Sequence, residues 1–526
     1  MSATTIGEAL SARLGHPVAA SGPDDELLVT VSSAELQPTV EVLQARGAGH
    51  LMLLGMDLRG LDPGAGLAIE EVMALPGGPL VRLRAVLPID DPAYPSITTV
   101  EPAAQWDERE ARDLLGIVPV GHPDPRPLVF HGTAADADPV QPLRKIRPAA
   151  PAPASPAFRA FVAHGEGVYQ LPVGPIHAGI IEPGHFRFSA VGESVLHLDA
   201  RLFYTHRGIE QLVEGRSFDG ALAIVERACG VCTVTHATAF SQAVERLSGT
   251  EIPPRARMAR ILLAELERLY NHVSDLGNIC AGVGFHFGTS RLGWQKERLL
   301  RCNEALTGHR YLTGVVAPGG LRLALDERGL AGLGASVKEI DQDVRAIVRL
   351  LVRSESFMGR LHGTGIVRGE DARRLGAVGV AARASGLAVD LRRDRPAGAY
   401  AELDVPVITH AAGDVAARFH VRAQEAVISA GLVRDLAGRL PAGPIRAPLA
   451  RDAEAGSSTV AGAEGPRGAS WLWLMAGADG RVERLHLRSG SFANWPVVAA
   501  AAPGNLVPDF PLINKSFELC YACTDR

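Results

Sequence analysis

Lysine is almost missing from this chain: of 53 basic residues only Lys145, Lys296, Lys338 and Lys515 are lysines. Arginine makes bidentate contacts that lysine cannot. An excess spread over the whole chain nevertheless reads as codon usage, so only particular arginines are informative. A basic surplus is missing too. With 58 acidic residues against 53 basic ones the net charge is −5, which gives no reason to expect nucleic acid or another polyanion as partner. No long apolar run exists. The stretch that most invites a membrane reading, Ser489 to Pro508, is broken by Asn494, Pro496 and Pro503 and cannot supply about 20 continuous apolar residues. The opening Met-Ser-Ala-Thr-Thr-Ile-Gly-Glu has no basic start followed by an apolar stretch, so a secretory signal and export are not expected. Internal repeats are absent. What is present is ordinary globular material, 47% apolar and 21% charged over 526 residues, enough for a large core and several domains.

Residues 148–158 carry no charge and begin Pro-Ala-Ala-Pro-Ala-Pro-Ala-Ser-Pro, a stretch that favours extended polyproline geometry and cannot propagate a helix. This predicts a spacer dividing residues 1–147 from residues 159–526. In the first part, Glu26–Ser32 and Leu80–Leu87 carry strand patterns and Ser33–Arg46 a helical one, which predicts a small α+β domain. In the second part, strand-like pieces over Val168–Leu198 give way to helices. The clearest runs from Arg257 to Cys280, with Ile261, Leu262, Leu266, Leu269, Tyr270, Val273 and Leu276 at steps of three and four. Strands are expected again over Ser457–Leu487, followed by an irregular, proline-rich tail. The fold class expected overall is α+β, with the second domain mainly α.

Six cysteines remain to be explained, and four form two Cys-x-x-Cys pairs, Cys229/Cys232 and Cys520/Cys523. Without a secretory signal, thiols at this spacing bind metal or do redox chemistry more often than they form disulfides. A thioredoxin-like role needs a strand-to-helix turn in a βαβ unit, which neither context resembles. Two such turns supply four soft thiolates, suited to zinc, nickel or iron, and spacing alone leaves structural zinc, an iron–sulfur cluster and a rarer centre open. Cys280 and Cys302 fall in helical patterns and are expected as buried apolar residues.

The surrounding residues add a resemblance. Glu226-Arg-Ala-Cys-Gly-Val-Cys-Thr-Val-Thr-His236 and Cys520-Tyr-Ala-Cys-Thr-Asp-Arg526 resemble the two metal-binding motifs of nickel–iron hydrogenase large subunits. The likeness is strongest to the membrane-associated, complex I-related branch of formate hydrogenlyase and hydrogenase-4. Gly174-Pro-Ile-His177, Glu182-Pro-Gly-His-Phe186, Tyr204-Thr-His-Arg-Gly-Ile-Glu210 and Ala382-Arg-Ala-Ser-Gly386 with Asp390 and Arg392 support it. Trp106-Asp-Glu-Arg-Glu-Ala-Arg-Asp-Leu-Leu-Gly116, Gly121-His-Pro-Asp-Pro-Arg126 and Pro142-Leu-Arg-Lys145 resemble the 30 kDa subunit of complex I, which casts the first domain as a docking module.

The resemblance implies a membrane-bound hydrogenase subunit interconverting protons and H2. Cys229 and Cys520 would be terminal nickel ligands, and Cys232 and Cys523 would bridge nickel to an iron carrying cyanide and carbonyl. Glu182 matches the proton-relay glutamate, Arg467 in Gly465-Pro-Arg-Gly468 the arginine over the open metal position, and His236 a hydrogen-bond donor to the bridging sulfur one helical turn from Cys232. Glu210 matches a position that helps bind a structural magnesium or iron near the C-terminus, but the histidine that completes that site is replaced by Arg526, whose guanidinium cannot ligate. Glu518-Leu519 stands where the family usually has Asp-Pro. The end three residues past Cys523 is what a processed form would show. The implied partners are an iron–sulfur small subunit, further iron–sulfur subunits and antiporter-like membrane subunits, with the chain held peripherally at the cytoplasmic face of the membrane. The competing readings are a complex I-like, quinone-reacting subunit without hydrogenase activity and a zinc-stabilised scaffold.

Overall fold

The computed structural model describes residues 3–131, 141–146, 160–177 and 181–526; the spacer expected over 148–158 lies outside them. The chain opens with helix α1 (Ala3–Leu14) and a five-stranded sheet in the order β1 (Ala20–Ser21), β2 (Glu26–Val31), β5 (Leu80–Leu87), β4 (Leu67–Ala74), β3 (Gly49–Asp57). Only the β2–β5 pair is parallel. Helices α2 (Leu36–Gln44) and α3 (Gln105–Leu115) accompany it, and β6 (Ala93–Pro95) pairs with β7 (Val118–Val120). An antiparallel sheet β8 (Val168–Val173), β9 (His185–Val191), β10 (Ser194–Arg201) follows.

A helical body comes next, formed by α4 (Ile209–Val213), α5 (Phe218–Val225), α6 (Thr233–Ser248), α7 (Pro254–Gly282), α8 (His286–Thr307) and, after the short pair β11 (Val316–Ala317) and β12 (Gly320–Leu321), α9 (Glu327–Val352). Four short helices, α10 (Glu355–Leu361), α11 (Gly369–Arg374), α12 (Gly379–Arg383) and α13 (Leu391–Asp394), lead into α14 (Val415–Arg439). The third antiparallel sheet is β13 (Ser458–Gly465), β14 (Gly468–Ala476), β15 (Val482–Arg488). This is the α+β architecture the patterns predict.

Helix α7 is the axis of the helical body, packed against α14 and α8. Proline at its first position costs no hydrogen bond, and the apolar residues named above are all buried. The chain beyond Leu487 departs from the expectation of an irregular tail. It forms α15 (Gly490–Ala501), α16 (Phe510–Phe517) and α17 (Tyr521–Asp525). Pro511 sits in the first turn of α16, where a missing N–H is harmless, and Pro496 is tolerated inside α15 because Trp495, Val497 and Val498 beside it are completely buried. Burial of that size outweighs the roughly 3 kcal/mol that a proline costs in an exposed helix interior. Cys280 is buried against Gly288 of α8, where an added Cβ would lie 2.5 Å from its sulfur; Cys302 is only half-buried.

The parts on either side of the spacer share one apolar cluster, in which Leu83 and Trp106 are continuous with Phe186, Phe188 and Trp495. Ion pairs cross the same boundary. Arg82 binds Glu70 at 2.6 Å and Glu26 at 2.8 Å on its own sheet, and the Ser458 hydroxyl at 2.6 Å on β13. Asp107 on α3 accepts from Arg488 on β15 at 3.1 Å and from the Leu53 N–H at 3.2 Å. Burial raises the Asp107 pKa, but Arg488 and the nearby His50 ring, 3.7 Å away, outweigh it and hold the group at about 2 against an ordinary 3.8. Its native pKa lies below its unfolded one, so its contribution is complete above pH 3.8 and is lost as the pH falls through 2. Denaturation midpoints between pH 5 and 2 are expected to show a loss of about 2 kcal/mol from this group, absent in Asp107→Asn.

Candidate metal centre

The first cysteine pair lies in the turn entering α6. Cys229 follows a 3-10 turn over Glu226–Ala228, and Cys232 is the residue capping α6. Helix α7 fixes this turn from behind: the Tyr270 hydroxyl and the Asn271 amide both donate to the Val231 carbonyl at 2.9 Å. Glu267 accepts from the N–H groups of Val234 at 2.7 Å and Thr235 at 3.0 Å, a carboxylate on the positive end of a helix. The second pair is built the same way. Cys520 caps α17 and its sulfur accepts from the Cys523 N–H at 3.3 Å, while Ser491 on α15 accepts from the Cys520 N–H at 3.1 Å and Ser489 donates to the Cys523 carbonyl at 3.0 Å.

These two turns meet. Cys229 Sγ lies 3.5 Å from Cys520 Sγ although 291 residues separate them, and the sulfurs of Cys232 and Cys523 join the same cluster. Hydrogen bonding with the thiols of Cys232, Cys520 and Cys523 pushes the Cys229 pKa well below its ordinary value, and the same hydrogen bonds, reinforced by burial, push the other three well above theirs. A buried set of four thiols that can ionise only one member unaided is a set that a soft cation would complete, because thiolate is the ligand form.

Arg207, from the segment Tyr204–Glu210, staples the two turns. Its guanidinium donates to the carbonyls of Arg227 at 2.8 Å and Ala228 at 2.9 Å beside the first pair, and of Ala522 at 2.7 Å inside the second. Replacing Arg207 with Ala is expected to lower metal occupancy about 10–100-fold, as loss of an outer hydrogen-bonding partner does. Arg207→Lys, whose three donors share one nitrogen and cannot span the three carbonyls as the guanidinium does, should recover only part of it, measured as bound metal per chain.

The structure brings Glu182, His236 and Arg467 to the cysteines. Glu182 is half-buried, with Oε2 3.8 Å from Cys520 Sγ and accepting from the Ala522 N–H at 2.8 Å. His236 is fully buried, and its Nε2 lies 3.3 Å from the sulfur of Cys523, so it crosses to the other pair instead of reaching Cys232 on its own helix. Burial lowers its pKa, which keeps the ring neutral. Arg467 extends from the β13–β14 turn. Its Nη1 lies 3.9 Å from Cys232 Sγ and binds Asn271 Oδ1; its Nε donates to the Glu518 carbonyl at 2.8 Å, and Nη2 to Asp275 at 3.4 Å. Gly468 allows that turn: it has φ +119°, and a Cβ there would lie 2.6 Å from the backbone nitrogen of Gly379. Glu210 is not at the cysteines. It lies under the terminal turn among Arg484, His486 and Arg526.

Three family descriptions match this chain: "Respiratory-chain NADH dehydrogenase, 30 Kd subunit" over residues 29–152, "Nickel-dependent hydrogenase" over 207–279 and "Respiratory-chain NADH dehydrogenase, 49 Kd subunit" over 291–454. Formate hydrogenlyase subunit 5 of Escherichia coli (strain K12) is 34% identical over 95% of this chain and 89% of its own length. Hydrogenase-4 component G of the same organism is 32% identical over 100% of this chain and 94% of its own. The chain belongs to the large-subunit family of complex I-related nickel–iron hydrogenases. It is an oxidoreductase of the hydrogenase class. The carbon monoxide-induced hydrogenase of Rhodospirillum rubrum is also similar, 32% identical over 68% of this chain and 99% of its own length.

Several residues of this family member's site escape a reading of the cysteine motifs. Glu267, Asn271 and Asp275 form a stripe at steps of four along α7, opposite its apolar face, and all three serve the cysteine turns or Arg467. The stripe is visible in the sequence as polar residues at helical spacing inside an apolar helix. Burial pushes the Glu267 carboxyl up to about 7. Burial and the neighbouring Asp275 push Glu518, the residue standing where the family has Asp, up to about 8. Nothing in the sequence signals that Glu518 is buried beside Asp275 of α7.

Proposed function

We propose that this chain is the catalytic subunit of a membrane-bound hydrogenase that interconverts protons and H2, its electrons passing through an iron–sulfur small subunit. The observation that carries this is the convergence of two Cys-x-x-Cys turns from distant parts of the chain on one buried cluster, with a carboxylate 3.8 Å from one of the sulfurs. The donor set fits a nickel–iron centre: Cys229 and Cys520 would be terminal nickel ligands and Cys232 and Cys523 would bridge to an iron carrying cyanide and carbonyl. When bound, that centre supplies the redox-active open position where H2 is made or split.

The chain's own residues do the rest. Glu182 holds or releases a proton at the Cys520 sulfur, from a half-buried position that leads outward. His236, neutral and buried, donates to the Cys523 sulfur and tunes its electron density. Arg467, kept charged by Asp275, presents a fixed cation beside Cys232. Among the described residues Cys280 and Cys302 are not part of the cysteine cluster, so this chain holds no second thiol set for an iron–sulfur cluster. Electrons must therefore come from a partner, which we read as a complex I-like small subunit joined by further iron–sulfur and antiporter-like membrane subunits. No described helix is long and apolar enough to cross a membrane, and we place the chain peripherally at the cytoplasmic face through those partners. Residues 1–147 serve as the docking domain and 159–526 as the catalytic one.

The purified complex is expected to contain nickel, to show infrared bands of iron-bound cyanide and carbonyl, and to evolve H2. Zinc alone would reject the proposal, and so would quinone reductase activity in a metal-free chain.

A further inference from the structure

The family resemblance leads one to expect a second, structural metal ion near the C-terminus, and the residues at hand do not fit one. Glu110 on α3, Glu210 on α4 and His486 on β15 are buried, with ligand-capable atoms within 4.8 Å of one another. Between them lies a side chain. Arg526 Nη2 donates to Glu110 Oε1 at 2.6 Å and Nη1 to Glu210 Oε1 at 3.0 Å, and Nη1 also binds the Leu487 carbonyl. Glu210 is further engaged by Arg484 at 2.8 Å on Oε2, and by His486 Nδ1 and the Leu487 N–H, both at 3.1 Å, on Oε1. Among the described residues, only Glu110 Oε2, His486 Nε2 and Arg484 Nε lack partners there, and the last is a donor. An ion held by two protein atoms would need about four waters to complete the octahedral shell of magnesium, in a space that the Arg526 guanidinium already occupies.

The charge count points the same way. Two carboxylates face two guanidiniums, so the pocket is neutral before any ion enters. A divalent cation would leave two positive charges uncompensated in a buried site, where an unpaired charge is strongly disfavoured. Arginine cannot relieve this by losing its proton.

We propose that the Arg526 guanidinium is the resident cation of this pocket, taking the place of a second metal and acting as a positioning residue for the terminal cysteine turn. It lies three residues from Cys523, stacks 4.9 Å above the ring of Phe492 on α15, and reaches Glu110 on the N-terminal part of the chain. The cysteine turn is thereby tied to both halves of the molecule. Glu110 in the segment Trp106–Gly116 gains a role that its own domain does not explain: it is the far end of the clamp.

The test uses the purified holo-complex, and only its nickel and infrared readouts rest on the hydrogenase reading. A density map of the wild-type complex is expected to show Arg526 and no ion between Glu110, Glu210 and His486, and magnesium, manganese and zinc should be absent after dialysis against a chelator. An ion in that density, or one such ion retained per chain, overturns the proposal whatever the cysteines hold. In Arg526→His, with Mn²⁺ alone as the probe, electron paramagnetic resonance should report one new bound ion per chain. No binding would show that the pocket is not cation-shaped and would also overturn it. Arg526→Ala should lower nickel occupancy about 10–100-fold and shift the cyanide and carbonyl bands in the remaining loaded protein, with Arg526→Lys recovering part of both. Full nickel with unshifted bands in Arg526→Ala would remove the positioning role.

Discussion

Replacing Glu182 with Gln should lower H2 turnover by about 10²–10⁴-fold, the range that a positioned proton donor contributes, while nickel content and the cyanide and carbonyl bands stay unchanged. That equals roughly 3–5 kcal/mol of barrier. Glutamine keeps the size of glutamate and still offers an oxygen to the Ala522 N–H, the contact Glu182 makes at 2.8 Å, so the Cys520 turn has no reason to move. What is lost is the ability to carry a proton to or from the sulfur 3.8 Å away. Isotope exchange between D2 and water, which needs that proton but no external electron, should fall in parallel. Loss of nickel from this variant would show instead that Glu182 holds the turn together and that the relay lies elsewhere.

Replacing Cys229 with Ser strikes at the metal itself. Cys229 is fully buried in the sulfur cluster, 3.5 Å from Cys520 Sγ, and a serine oxygen is a hard donor that resists deprotonation. Sharing a typical four-ligand binding energy of about 10–16 kcal/mol equally gives roughly 3–4 kcal/mol for one ligand, or about 10²–10³-fold in affinity. Nickel per chain should fall to background and turnover with it. Cys280→Ser makes the control. That thiol, pushed up to about 12 by burial, packs against Gly288 and touches no member of the cluster. Its variant should lose stability by about 1–3 kcal/mol for an unpaired buried hydroxyl, with nickel intact. Equal nickel loss from both would mean that the cysteine cluster is not where nickel binds.

How much of this was legible beforehand follows from which forces are local. Helix α7 and the strands Glu26–Val31 and Leu80–Leu87 were readable because one face of each is apolar and the period shows it. The helices after Leu487 were hidden by Pro496, Pro503 and Pro511, since propensity counts prolines and cannot see that Trp495 is sealed in a core. The cysteine pairs announced a metal site, but their meeting, like the Arg207 staple across three carbonyls, is long-range geometry that no spacing rule contains. Arg526 stood in view as a missing histidine; that it reaches back to Glu110, 416 residues earlier, required coordinates.

The distance along the chain between Cys229 and Cys520, 291 residues, also sets a timetable. At about 5–20 residues per second of synthesis, the first two thiols leave the ribosome roughly 15–60 s before their partners exist. During that interval the first cysteine turn, with Glu267 capping its helix, exists without its counterpart, and the four-sulfur cluster can form only once Cys520 and Cys523 have been made.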